Sequence, residues 1–221
     1  MISSIRRAAF QVSNRILYAA VTQQKQLLLG NRKIRIHPFN TDTNSIFIHI
    51  PKTAGFSVSH AIYGMDPWHF RLRDYQEIAD TSAYFTFSIV REPASRLMSM
   101  YSFLRRVRAV SPQLVNCKLA PDFRSFLEEY TLQMKAPTHP MLYSQLEFLT
   151  DRKGEISVDF IARMETLAAD FEVIKQKTNR PQAELPHLNR SPAKAVLKPD
   201  DLRFIRTVFA EEYERLGYPD A

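Results

Sequence analysis

Residues 46–50 form a short apolar run, Ile-Phe-Ile-His-Ile, that stops at Pro51. Residues 84–90, YFTFSIV, form a second run rich in aromatic and β-branched side chains. Short runs of this composition predict buried strands. Ser157 to Ala162 predicts a third strand. Helical spacing of apolar positions predicts helices over 55–63, 72–79, 94–107, 123–132, 142–149, 166–177 and 200–216. Pro93 and Pro199 stand where the first helical residues of two of them belong. Strands that alternate with helices imply an α/β fold with a mostly parallel central sheet flanked by helices. The stretch from Thr178 to Lys198 holds Pro181, Pro186 and Pro192 and reads as a long functional loop.

Residues 2–29 predict one more helix, with Ile5, Phe10, Ile16, Leu17 and Leu27 apolar and Gly30 as its stop. Charge sets this segment apart. Residues 1–41 carry Arg6, Arg7, Arg15, Lys25, Arg32, Lys33 and Arg35 and no acidic residue, whereas the other 23 basic and 23 acidic residues cancel. The net charge of +7 therefore belongs to a basic N-terminal helical arm, 1–41, ahead of one domain, 42–221. Three readings of the arm stay open: packing on the domain, lying on an anionic membrane surface, or a targeting presequence. The neutral body argues against nucleic acid as a partner. A single cysteine, Cys117, excludes an internal disulfide. No run of eighteen apolar residues occurs, so no membrane span is expected. The expected location is cytoplasmic, with the arm a candidate for peripheral membrane contact.

Candidate chemistry concentrates after the first strand, in Pro51-Lys52-Thr53-Ala54-Gly55-Phe56-Ser57. A strand that ends in a short loop and opens a helix aims backbone N–H groups at one point, where the helix dipole favours an anion. Lys52 adds a mobile cation, Thr53 and Ser57 add hydroxyls, and Gly55 permits close backbone approach. The lysine precedes the only glycine of the segment, so this is not a Walker A loop. With 5 Gly in the chain, no second glycine-rich loop exists.

Two segments together, HIPKTAG with a serine after it and FSIVREPASRLMSMY, resemble the nucleotide-binding motifs of sulfotransferases that use 3′-phosphoadenosine 5′-phosphosulfate (PAPS). The likeness is to the carbohydrate sulfotransferases, the heparan sulfate 2-O and chondroitin-type group with its bacterial relatives. PTHPMLYSQLEFL, DFIARMETLAADFEVI and LPHLNRS resemble later segments of that group, so the likeness spans residues 44–217. It implies a P-loop-containing nucleotide-binding fold, PAPS as donor, a carbohydrate hydroxyl as acceptor and no metal. The animal members are generally Golgi proteins with an N-terminal membrane span; the bacterial type is the expectation here.

By the same resemblance, Lys52 contacts the oxygen that bridges sulfate and nucleotide, and Thr53 to Ser57 hold the 5′-phosphate. Arg91 and Ser99 grip the 3′-phosphate, and Arg190 and Ser191 in the long loop cover the nucleotide. Arg96 reads as a helix-surface ion pair and Glu92 as a helix-entry residue. A hydroxyl that attacks sulfur must lose its proton, and a histidine suits that. Of His37, His49, His60, His69, His139 and His187, the family's spacing selects His69, 22 residues before Arg91. His49 reads as structural. His139 and Gln145 are candidates for the acceptor side, Glu165 favours a helix start without assigned chemistry, and Trp68 and Tyr101 read as packing aromatics. Two other classes remain: a P-loop nucleotide kinase or NTPase, and a non-catalytic glycan- or polyanion-binding module. ATP with Mg²⁺ against PAPS separates the first, and deletion of the arm tests the second.

Overall fold

The computed structural model describes residues 34–186 and 197–219. Three strands, β1 (Ser45–Ile48), β2 (Phe85–Val90) and β3 (Phe160–Arg163), form a parallel sheet in the order β1-β2-β3. Ile46 pairs with Thr86 and Ser88 with Ile161, so β2 is central. Parallel neighbours need crossovers, and helices supply them on both faces. The helices are α1 (Pro38–Thr43), α2 (Gly55–Tyr63), α3 (Leu72–Gln76), α4 (Pro93–Arg106), α5 (Val115–Leu119), α6 (Phe123–Met134), α7 (Gln145–Leu149), α8 (Leu167–Lys177), α9 (Pro199–Val208) and α10 (Ala210–Arg215).

Strand alternation sorts the core into two layers. Ile46, Ile48 and Val90 face Leu97, Met100 and Leu104 of α4, Phe126 of α6 and Ile205 of α9. Phe47, Phe87, Ile89 and Ala162 face Val58 and Ile62 of α2 and Phe171 and Ile174 of α8. The mixed α/β architecture with a parallel sheet is therefore present as expected, with all three strands at or beside their predicted positions.

Several boundaries differ, each for a local reason. The third strand starts later, because the Asp159 carboxylate accepts from Thr86 N and Oγ1 (2.7 and 2.9 Å) and holds the chain just short of the ladder. The expected helix over 142–149 divides: Ser144 starts α7 with a capping box to Glu147. The expected helix over 200–216 breaks at Phe209, whose backbone leaves helical geometry (φ −109°, ψ 23°) while its ring is buried. The helix over 72–79 ends at Gln76. Residues 38–41, counted above with the arm, belong to the packed body: α1 buries Asn40, whose side-chain amide donates to Ser45 O at 2.8 Å. The expected helix over 2–29 lies outside the described residues. No helix among the described residues is long and apolar enough to cross a membrane.

Candidate active site

The site forms where β1 and β2 deliver their C-terminal ends. From Ile50 the chain turns through Pro51–Ala54 into α2, and two non-glycine residues of that turn have positive φ, Lys52 at 73° and Ala54 at 68°. Left-handed backbone costs a residue with a Cβ about 1–2 kcal/mol, so surrounding contacts must hold this shape. They are visible. The Thr53 hydroxyl, fully buried, donates to Ile50 O at 2.9 Å. Arg96 Nε donates to Pro51 O at 3.1 Å, and its Nη2 donates to Tyr143 O at 3.1 Å. Arg91 Nη1 reaches Lys52 O at 3.4 Å. Ala54 is the N-cap of α2 and no side chain caps that end, so its first-turn amides are not taken by a capping side chain.

Three sequence expectations change here. Thr53 spends its hydroxyl proton inside the loop, which leaves its backbone for an anion. Arg96 is no surface residue; it is 1% exposed and clamps the loop from α4. Gly55 is required for packing beneath it rather than for approach from above. A Cβ there would lie 2.2 Å from His49 Cδ2 and 2.6 Å from His49 Nε2. Gly55→Ala is therefore expected to cost about 3 kcal/mol, the upper end of overpacking losses. Gly64→Ala, at φ 72° with open space around it, should cost only the backbone strain of about 1–2 kcal/mol. Urea unfolding of the two variants checks the order, and an equal or smaller loss at Gly55 contradicts it.

Lys52 extends along α4, with Nζ 4.1 Å above the Phe103 ring. Burial, then the charges of Arg106 and Arg91, lower its pKa to about 8. It still carries its charge at neutral pH, and an anion placed among these three cations would be strongly favoured. Phe103 and Arg106 were not singled out in the sequence, because only the course of α4 past the loop brings them to Lys52. Ser99 lies nearly buried on the same helix.

Arg91 is held by its backbone. Gln145, fully buried, accepts from Arg91 N at 2.9 Å and donates to Arg91 O at 2.8 Å. Glu212 of α10 in turn accepts from Gln145 N and Nε2, both at 2.8 Å. Gln145 is thus a bracket inside the protein and not an acceptor-lining group. Burial raises the Glu212 pKa, opposed by the Arg96 charge and the Gln145 bonds. Glu92 caps α4 as expected, accepting from Ala94 N and Ser95 N and from the Tyr213 hydroxyl. Glu165 accepts from Glu92 N at 2.8 Å and from Tyr218 at 3.2 Å, which gives it a structural role beside Arg91.

His69 sits in the turn before α3, and its Nδ1 lies 2.8 Å from the carbonyl of His49. A carbonyl only accepts, so the proton is on Nδ1 and Nε2 keeps its lone pair. Burial and then the charge of His49 lower the His69 pKa to about 4, opposed by that hydrogen bond and by Asp66. The ring is neutral at pH 7 and able to take a proton. His49 Nδ1 lies 2.8 Å from Asp66 Oδ1, and the two imidazoles are in contact, centroids 4.3 Å apart. His49, Asp66 and His69 present atoms within 4.8 Å of one another, a cluster that sequence spacing did not reveal. Both Nδ1 atoms are engaged by protein oxygens and His49 Nε2 is covered by Gly55, so the trio reads as a hydrogen-bonded assembly. His139 accepts from Met141 N at 3.1 Å, and its charge also bears on His69. Trp68 is 42% exposed at φ 70° beside His69, whereas Tyr101 packs on Phe123 and Phe126. Arg190, Ser191 and His187 lie outside the described residues.

The family model described as "Sulfotransferase family" matches residues 39–219. No curated protein and no solved structure matches the chain. The match covers most of the chain, and the protein belongs to the sulfotransferase family.

Proposed function

We propose that this member of the sulfotransferase family transfers the sulfuryl group of PAPS to a hydroxyl of a carbohydrate-type acceptor, on a P-loop-type scaffold. The observation that carries this reading is the placement of His69. Its Nδ1 is fixed on the carbonyl of His49, three residues before Lys52, so a neutral imidazole stands at the end of the strand that runs into the anion loop. In the proposed reaction the acceptor oxygen attacks sulfur in line and His69 Nε2 takes its proton. The S–O bond to the nucleotide breaks, and Lys52 stabilises the negative charge that grows on the departing phosphate oxygen. The loop amides of Thr53 to Ser57 hold the 5′-phosphate, Arg91 and Ser99 hold the 3′-phosphate, and Arg190 with Ser191 cover the nucleotide. The chemistry asks no metal of these residues.

Calorimetry tests the donor. PAPS and 3′-phosphoadenosine 5′-phosphate are expected to bind without Mg²⁺, and ATP with Mg²⁺ is expected to bind at least about tenfold more weakly, a difference of about 1.4 kcal/mol. Preference for ATP with Mg²⁺ would replace this reading with a nucleotide kinase or NTPase. Sulfur-labelled donor with a glycan panel then identifies the acceptor, and transfer to none of its members removes the carbohydrate assignment.

A further inference from the structure

The turn that carries His69 hangs on one carboxylate. Asp66 Oδ1 lies 2.8 Å from His49 Nδ1 and also accepts from Trp68 N at 3.0 Å. That oxygen therefore ties the turn, Asp66-Pro67-Trp68-His69, to the end of β1. It also fixes the His49 ring, whose other side lies under Gly55 and whose face meets the His69 ring. We propose that Asp66 is the positioning residue of the catalytic base: through His49 it sets the orientation of His69, and its charge offsets the imidazolium that forms when His69 takes the acceptor's proton.

The electrostatics agree with that geometry. Burial works against ionisation of Asp66, but the hydrogen bond and charge of His49, the charge of His69 and the Trp68 amide outweigh it and hold the carboxyl below its usual range. A carboxylate that stays ionised within 4.8 Å of an imidazole favours the protonated ring. The ionisable groups that bear on His69 are His49 at the end of β1, Asp66 in its own turn, and His139 from the segment before α7. Asp66 is the only anion of the three. A base held neutral by burial gains most from such a partner during the reaction, when charge develops on it.

This inference rests on His69 being the base, and the experiment separates the two. Asp66→Asn keeps size and hydrogen-bonding capacity and removes the charge. It is expected to leave the affinity for 3′-phosphoadenosine 5′-phosphate within about twofold, to lower kcat by about 10–100-fold, and to move the acid limb of the kcat/KM profile to lower pH. Asp66→Glu should restore part of the rate and of the limb. In a His69→Ala background, Asp66→Asn should change kcat by less than about twofold, since the group it acts through is gone. Full turnover by His69→Ala alone would remove the base assignment itself. If His69→Ala is inactive while Asp66→Asn keeps parental rate and pH profile, only the role of Asp66 falls. Equal losses from Asp66→Asn with and without His69 would likewise reduce Asp66 to a structural residue. If Asp66→Asn does not fold, Asp66→Glu carries the same test through the position of its acid limb.

Discussion

A His69→Ala enzyme is expected to bind 3′-phosphoadenosine 5′-phosphate as the parent does and to turn over about 10²–10⁴-fold more slowly. The side chain meets the carbonyl and the ring of His49 and makes no hydrogen bond to residues 51–57, so its removal is expected to leave the proposed phosphate-binding groups in place. Calorimetry and single-turnover kinetics together check this, and a parental rate would rule His69 out as base. A second signature comes from folding. His69 has a folded pKa of about 4 against an ordinary value of 6.5. Above pH 6.5 the ring is neutral in both states and its contribution to stability is complete. As pH falls toward 4, the unfolded chain takes up a proton that the folded chain refuses, and about 3 kcal/mol is lost. His69→Ala should lack that part of the acid destabilisation. Urea midpoints of both proteins between pH 7 and pH 4.5 measure it, and parallel curves would contradict the burial of a neutral ring.

Arg96→Met is expected to destabilise the protein by about 3–5 kcal/mol, although the substitution keeps an unbranched side chain of similar length. Arg96 is the largest fully buried side chain among the described residues. Without it the carbonyls of Pro51 and Tyr143 lose their donors, and Glu212, itself buried, loses the cation that opposes its desolvation. Buried carbonyls left without donors cost about 1–3 kcal/mol each, and a buried carboxylate without a nearby cation adds to that. Adding Glu212→Gln should recover part of the loss, and the double-mutant cycle isolates the coupling. A loss below about 1 kcal/mol for Arg96→Met would mean the loop is held without it. Donor affinity should fall with stability, since the Lys52 and Ala54 backbone conformations depend on that clamp.

The parts of this site that were legible in the sequence are those set by neighbours in the chain. The apolar runs ending at Pro51 and Arg91 gave the strands, and the loop between Ile50 and Gly55 followed from its position ahead of a helix. Pro93 marked the start of α4, and Glu92 was legible as its cap. What the sequence hid depends on partners far away in the chain. Arg96 looks like one charge on a helix until β1 brings Pro51 over it, 45 residues earlier. Gln145 looks like a candidate for the acceptor side until Glu212 meets it across 67 residues. Gly55 looked like a concession to a ligand, whereas the His49 ring accounts for it. Asp66 offered no signal at all, since a lone Asp before Pro67 reads as turn chemistry. Long helices were placed well, but the break at Phe209 was not, because burial of one ring overrides local helical preference there.

The bracket of Gln145 around Arg91 has a consequence for how the protein is made. Its outer end is Glu212, in the last helix described. On the ribosome the chain emerges at about 5–20 residues per second. The turn between β1 and α2 therefore waits on the order of ten seconds or more before the residue that locks Arg91 exists outside the exit tunnel. During that interval β1 and β2 can already pair, but the Arg91 end of β2 lacks its brace. Nascent chains arrested before Glu212 is made and chains in which Glu212 has emerged should differ in protease resistance around Arg91.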